Sequence, residues 1–268
     1  MKLIAYSMDD IAGSNVAEVL RDGFGFIERG EEHDGVRICG RDDTLLVASR
    51  ENITRIESFG SLHPEVCVVV SRHRSESGTP TLTSHVTGNF GSADVGGEPG
   101  RLSIAPALYL RKSLEYLRLN QVEGYEVSLE VTHHGPTRLP FPLLYVEVGS
   151  SEEQWNDMDA CTAVAEVADA LVSLPVEEVP SAIGFGGPHY APNFNDVVKT
   201  VALGHIAPKY ALEYVDIAMV EQMVERTVPR PELAVLDWKG MRGEEKKRVT
   251  GLLDELGLGW EKSSELKG

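Results

Sequence analysis

The stretch "EVCVVVSRH" (residues 65–73) decides the reading of the fold. An apolar run of this length, without polar alternation, is the pattern of a strand buried on both faces. Strand and helix patterns alternate around it. "KLIAYSM" reads as a strand ending at Ser7, and "DDIAGSNVAEVLRDGF" as a helix opened by Asp9 and Asp10 and closed near Gly23. "VRICGR" and "TLLVASR", joined by two aspartates, predict a hairpin. "APALYLRKSLEYLRLN" predicts an amphipathic helix with Leu110, Leu114 and Leu117 on one side. "EVSLEVTHH" and "LLYVEVG" read as strands, and "SSEEQWNDMDACTAVAEVADALVSL" as the longest helix, with Ser150 and Glu153 as a capping box. Further on, "SAIGFGG" and "LAVLDW" read as strands, and "FNDVVKTVALG", "DIAMVEQMVERT" and "EEKKRVTGLLDELG" as helices. Strands separated by helices call for a layered α/β fold with a mixed sheet, in a single domain over residues 1–268. In such sheets ligands are expected beyond the carboxyl ends of strands.

Composition narrows the function classes. The chain has 268 residues and a formal net charge of −17, which disfavours non-specific attraction to nucleic acid or anionic membrane. A local basic patch can still act against that background. No run approaches the roughly 18 apolar residues of a membrane span. The start "MKLIAYSMDD" lacks the layout of a secretion signal, so a cytoplasmic location is expected. Cys39, Cys67 and Cys161 are scattered in apolar stretches and read as reduced core thiols.

Histidine carries the chemical signal. His33 and His63 lie in polar or turn contexts, as surface residues do. The other six sit at strand exits or in Gly/Pro loops: His73, His85, His133, His134, His189 and His205. Glu147 lies near the end of "LLYVEVGS". One such histidine is ordinarily a hydrogen-bonded structural residue; six in equivalent positions point to a metal or acid–base site. Imidazole is a common zinc ligand, and a catalytic zinc needs about three protein ligands and an open position. Because successive strand residues face opposite ways, His133 and His134 share a site only if the Gly135–Pro136 turn rotates one of them. "HVTGNFG", with Asn89, and "GFGGPHYAPNF", with Gly184, Gly186 and Gly187 before His189, are loops built for close backbone approach. Their amides suit a phosphate or a developing oxyanion, or merely serve tight turns.

The ordered set "SRHRS" (71–75), "HVTGNFGSA" (85–93), "VTHHGPT" (131–137), "VEVGSSEEQW" (146–155), "IGFGGPHYAPNF" (183–194), "GHIAPKY" (204–210) and "LDWKG" (236–240) resembles the archaeal and plant type of D-aminoacyl-tRNA deacylase, through nearly the whole chain. The resemblance implies hydrolysis of the ester joining a D-amino acid to the terminal ribose of tRNA, across many side chains, by a mostly monomeric zinc enzyme. It also implies a three-layer α/β/α fold of the phosphorylase/hydrolase-like kind. Expected metal ligands are drawn from His133, His134, Glu147 and His189, with His85 also in reach. His73, His85, Asn89 and His205 are the expected catalytic residues, Asn89 as an oxyanion donor and His73 or His205 as a proton carrier. A zinc in such a site lowers the pKa of water toward neutral; a histidine base or the ribose hydroxyl is the metal-free rival. Arg72, Arg74, Gly186, Gly187, Lys209 and Lys239 are expected to hold the acceptor end, with Arg101, Lys199 and Arg242 nearby. The competing reading is a metal-dependent hydrolase or phosphorylase-like enzyme acting on a small ester or nucleoside without tRNA.

Overall fold

The computed structural model describes residues 1–266. Its strands are β1 (Lys2–Ser7), β2 (Ile27–His33), β3 (Val36–Arg41), β4 (Thr44–Ser49), β5 (Cys67–Arg74), β6 (Thr81–His85), β7 (Ala105–Pro106), β8 (Glu126–Leu129) and β9 (Leu143–Ser150), followed by β10 (Ser181–Phe185), β11 (Ala202–Ala207), β12 (Thr227–Val228), β13 (Leu233–Leu236) and β14 (Trp260–Lys262). The helices are α1 (Ile11–Gly23), α2 (Ala107–Leu119), α3 (Glu152–Trp155), α4 (Met158–Ser173), α5 (Ile217–Glu225) and α6 (Gly243–Leu256). A large sheet runs β2-β3-β4-β1-β5-β9-β6-β8, and a smaller one β11-β10-β13-β14. The large sheet is mixed: β1, β4, β5 and β9 are parallel, while β6 runs antiparallel to β9 and parallel to β8.

The apolar run that opened the reading is the centre of the large sheet, and its two faces divide cleanly. Val66, Val68 and Val70 enter the core formed with α1, α2 and α4, as do Leu144, Val146 and Val148 of β9. Cys67 and Val69 face the other way with Leu143 and Tyr145, covered by Phe59, Leu139 and Phe141 from irregular segments. The period of two then places Ser71, His73 and Glu147 on that second face, where the apolar run gives way to polar residues. α5 and α6 cover the far side of the small sheet. The core on its near side joins Ala182, Leu203, Ile206 and Val235 to the large sheet's helices. The expected α/β fold with a mixed central sheet and helix layers is therefore what forms.

Several elements depart from expectation. The long helix over 150–174 breaks into α3 and α4, because Asp157 caps a new start by accepting from the Asp159 and Ala160 N–H groups. The capping box lies one residue on from the expected pair, at Ser151 and Gln154. "FNDVVKTVALG" is not a helix: it makes a short turn at Val197–Lys199 and then enters β11. Gly204 is required there, since a Cβ would lie 2.3 Å from Thr227 Oγ1. β2, β6 and β14 were not expected from the pattern. β2, "IERGEEH", is charged and almost wholly exposed, an edge strand without apolar alternation.

Candidate active site

Six of the predicted residues meet on the face of the large sheet that the helices leave free. β5 brings His73, β6 brings His85, β9 brings Glu147, and the segments after β8 and β10 bring His133, His134 and His189. The ring of His85 lies 4.3 Å from that of His133 and 4.8 Å from that of His134, and His133 lies 4.6 Å from His189. The adjacent pair does share the site. His134 adopts φ 44°, a left-handed conformation that turns its ring back beside its neighbour, 4.5 Å away. The six approach from strands of both directions, because β6 is antiparallel to β9. The expectation of one shared rim at strand carboxyl ends is thus corrected to one shared face.

At the centre lies a residue the sequence reading passed over. Glu130 has a fully buried carboxylate, and three imidazoles surround it: His189 Nε2 at 2.9 Å, His73 Nδ1 at 3.1 Å and His133 Nε2 at 3.4 Å. Glu130 occupies a polar position in the alternating run "EVSLEV", so it reads as solvent-facing. Its spacing of four from His134 was the available signal, since that puts both on one strand face. Tyr190 was also missed; its hydroxyl bonds His73 Nε2 at 2.9 Å. Glu147 accepts from Ser71 Oγ at 2.7 Å and lies 3.5 Å from both His73 Nδ1 and His85 Nε2.

Burial alone pushes the Glu130 carboxyl up, but His189 and the neighbouring imidazoles outweigh it and hold it at about 2. Glu147 is likewise held below the usual carboxylate range, burial being overcome by His73 and His85. Burial works against charge on His73, yet the two carboxylates lift it to about 10, and His85 is raised for the same reason. His133 and His134 move the other way. Burial and the adjacent His85 push both down, His134 to about 4. Both carboxylates thus favour their charged form, while burial disfavours charge on His133 and His134.

The donors fit a metal ion. His133 Nδ1 pairs with the Val131 carbonyl at 2.8 Å, His134 Nδ1 with the Gly135 carbonyl at 2.6 Å, and His85 Nδ1 with the Val86 carbonyl at 3.2 Å. These partners accept only, which places a proton on each Nδ1 and makes Nε2 the atom a metal would take, on His85 in exchange for the proton that Glu147 favours there. One ligand atom from each of these rings lies within 4.8 Å of the others, and His73, Glu130 and His189 form a second such group. His85 Nε2 and both Glu130 oxygens are buried without a hydrogen bond. The short contacts to Glu130 are therefore close approaches whose angles do not suit hydrogen bonding. A proton or a cation between His85 and Glu147 would satisfy both.

Of the other predicted residues, only Arg72 and Arg74 share the cleft over the cluster. Asn89 is buried, and its amide donates to the Gly96 and Glu98 carbonyls, so it holds the loop over 92–101 and is not free as an oxyanion donor. His205 is fully enclosed, with Nε2 on the Ser103 carbonyl at 3.1 Å and Nδ1 beside Thr132 Oγ1 at 3.3 Å. It sits on β11, behind the cluster, and does not reach the cleft, which corrects its expected catalytic placement. Arg72 and Arg74 do line the cleft of about 440 Å³ over the cluster, as does Arg55. Gly186 and Gly187, in left-handed conformations, do not face the cluster. A Cβ on Gly186 would meet Met241 and Asp237, and Gly187 borders a second cleft with Lys209 and Arg242. Lys239 is exposed on the turn after β13 and lines neither cleft. Arg101 pairs with Glu98 and Lys199 with Asp196.

A cluster of imidazoles and carboxylates at the floor of an open cleft in an α/β sheet defines a hydrolase-type centre. A family model described as D-aminoacyl-tRNA deacylase matches residues 61–261. D-aminoacyl-tRNA deacylase of Pyrococcus furiosus is 37% identical over 268 residues, covering 96% of this chain and 98% of the relative. That of Thermococcus onnurineus is 35% identical over 270 residues, with the same coverage. A crystal structure of a conserved protein of unknown function, AF0625, superposes with a TM-score of 0.91 at 28% identity, over 100% of this chain and 96% of that one. The chain belongs to the D-aminoacyl-tRNA deacylase family.

Proposed function

We propose that this chain hydrolyses the ester of D-aminoacyl-tRNA, releasing the D-amino acid and free tRNA, with zinc in the site. The observation that carries the metal reading is the set His85, His133 and His134. Each ring donates its Nδ1–H to a backbone carbonyl, and their ligand atoms gather within 4.8 Å. His85, His133 and His134 would hold the ion, with Glu147 against His85. When bound, zinc supplies Lewis acidity to the reacting ester.

The chain's own residues handle protons and position. His189 has the most accessible imidazole of those around Glu130, and Glu130 anchors its Nε2. The ring also lines the cleft, where its other nitrogen is suited to take a proton from the attacking water and return one to the departing ribose oxygen. Glu130 stabilises the imidazolium formed between those events. His73, locked by Glu130 and Tyr190, fixes the carboxylate in place. Arg55, Arg72 and Arg74 at the cleft wall suit phosphates of the acceptor end. The small-ester alternative lacks the support that family membership gives to the tRNA substrate.

The complete residue set lies within one chain, so a monomer suffices. The core shared by the two sheets supports a single domain. Among the described residues no helix is long and apolar enough to cross a membrane, and a tRNA substrate fits a cytoplasmic enzyme. The test is incubation of the pure protein with D- and L-tyrosyl-tRNA, with and without a chelator. Hydrolysis of the D form alone, abolished by chelation and restored by zinc, is expected. Equal hydrolysis of both hands, or indifference to chelation with zinc removed, would reject the reading.

A further inference from the structure

The cluster's cleft does not end at the imidazoles. His133 and His134 also wall a smaller pocket of about 170 Å³, whose outer side is made by Gly91, Tyr210 and Tyr214. Tyr210 in turn borders the second cleft, of about 440 Å³, with Lys209 and Arg242. Three depressions thus form one path from the reacting centre, across two tyrosines, to two cations. The tyrosines are 57% and 54% exposed, a large aromatic area at the surface. They stand four residues apart on the turn Lys209–Tyr214. The Tyr214 ring lies over Gly91, close enough that a Cβ there would be 3.0 Å from it, so its position is fixed by the absence of a side chain. Lys209 makes no ion pair among the described residues, whereas Arg242 approaches Glu245 at 3.9 Å.

The geometry points to this path as a binding strip for the unpaired nucleotides that precede the terminal, esterified one. The inference rests on the proposed tRNA substrate and extends it. Exposed aromatic faces spaced along a groove stack bases regardless of sequence, and a free cation at the groove's end suits the backbone phosphate. A protein or lipid occupant is less favoured. The strip shares its wall with the centre that opens the ester, and it alternates flat rings with charge. Glu213 and Glu245 at the far cleft repel phosphate, which confines the favourable cation to Lys209.

The experiment compares D-tyrosyl-tRNA with D-tyrosyl-adenosine, which stops short of the strip. Tyr210→Leu and Tyr214→Leu keep apolar packing and remove the stacking face; Tyr210→Phe and Tyr214→Phe restore it. Each leucine variant is expected to raise KM for D-tyrosyl-tRNA about tenfold, as loss of one stacked base implies, with kcat/KM for D-tyrosyl-adenosine changed less than twofold and the phenylalanine variants close to wild type. Equal losses on both substrates, or no loss on the tRNA, would overturn the strip. Binding of a fluorescent single-stranded RNA carrying the same unpaired 3′ end, weakened by leucine and not by phenylalanine, reads the strip without turnover. Failure of the wild type on D-tyrosyl-tRNA would sink the functional reading alone, while that binding measurement would still decide the strip.

Discussion

His189 Nε2 lies 2.9 Å from Glu130 Oε2, and the Glu130 side chain has no exposed surface while that of His189 is 37% exposed. A buried anion thus orients an accessible imidazole at the cleft. Glu130→Gln keeps the volume and removes the charge that stabilises His189 as it takes a proton. kcat on D-tyrosyl-tRNA should fall about a hundred- to ten-thousandfold, with zinc content unchanged. Near wild-type turnover in this variant would exclude the proton relay.

His134 needs a residue that accepts a left-handed backbone, and asparagine does so more readily than alanine. His134→Asn should therefore fold with its turn intact and still lose one ring of the three-imidazole group. Zinc affinity should drop by more than the roughly 10–100-fold expected of a residue that only orients a ligand, measured by competition with a chromogenic chelator. Full affinity would show that the ion sits elsewhere.

Gly149 faces His73 so closely that a Cβ would lie 2.8 Å from the ring's Cδ2 and 2.7 Å from Thr81 Oγ1. Gly149→Ala should displace His73 and with it the Glu130 carboxylate. We expect kcat to fall by up to about a hundredfold, the scale of a 1 Å misplacement. A melting temperature lowered by a few degrees would accompany it, from overpacking of about 1–3 kcal/mol. Unchanged kinetics would mean that His73 does not position the site.

His205 supplies a pH dependence away from the cluster. Burial pushes it down to about 4, against hydrogen bonds to the Ser103 and Arg226 backbone that favour its charge. Unfolded, it titrates near 6.5. Between those values the unfolded chain binds a proton that the folded chain refuses. Its contribution is therefore full above about pH 6.5 and lost as pH falls toward 4, on the order of 3 kcal/mol. Urea unfolding of wild type and His205→Gln across pH 7 to 4.5 checks this. The wild type should lose stability more steeply, and parallel curves would contradict the assignment.

How much of this was legible beforehand depends on the kind of signal. The buried run over 65–73 announced the sheet because two covered faces leave a sequence no polar alternation. Six histidines drew attention because imidazole is scarce and chemically pointed, and five of the six do meet. The sixth, His205, lies inside β11 of the small sheet, where Ser103 and Thr132 take its ring nitrogens away from the cluster. Glu130 escaped because a carboxylate in an alternating strand looks like an ordinary solvated residue until three rings are found around it. Asn89 and the Gly186–Gly187 turn were misplaced for a related reason: loop residues take their partners from distant segments, and local pattern cannot name them. The start of β11 was absorbed into an expected helix because Val197, Val198 and Val201, in the turn before it, mimic a helical spacing.

The two-faced character of β5 carries a cost of its own. Cys67, Val69, Ser71 and His73 look one way while their neighbours look the other. Substitutions at either set can be absorbed one position at a time. Insertion or deletion of a single amino acid within this ribbon cannot, since it would exchange the two sets wholesale and send an imidazole into hydrocarbon. Length along this segment should be the most rigidly kept property of the gene.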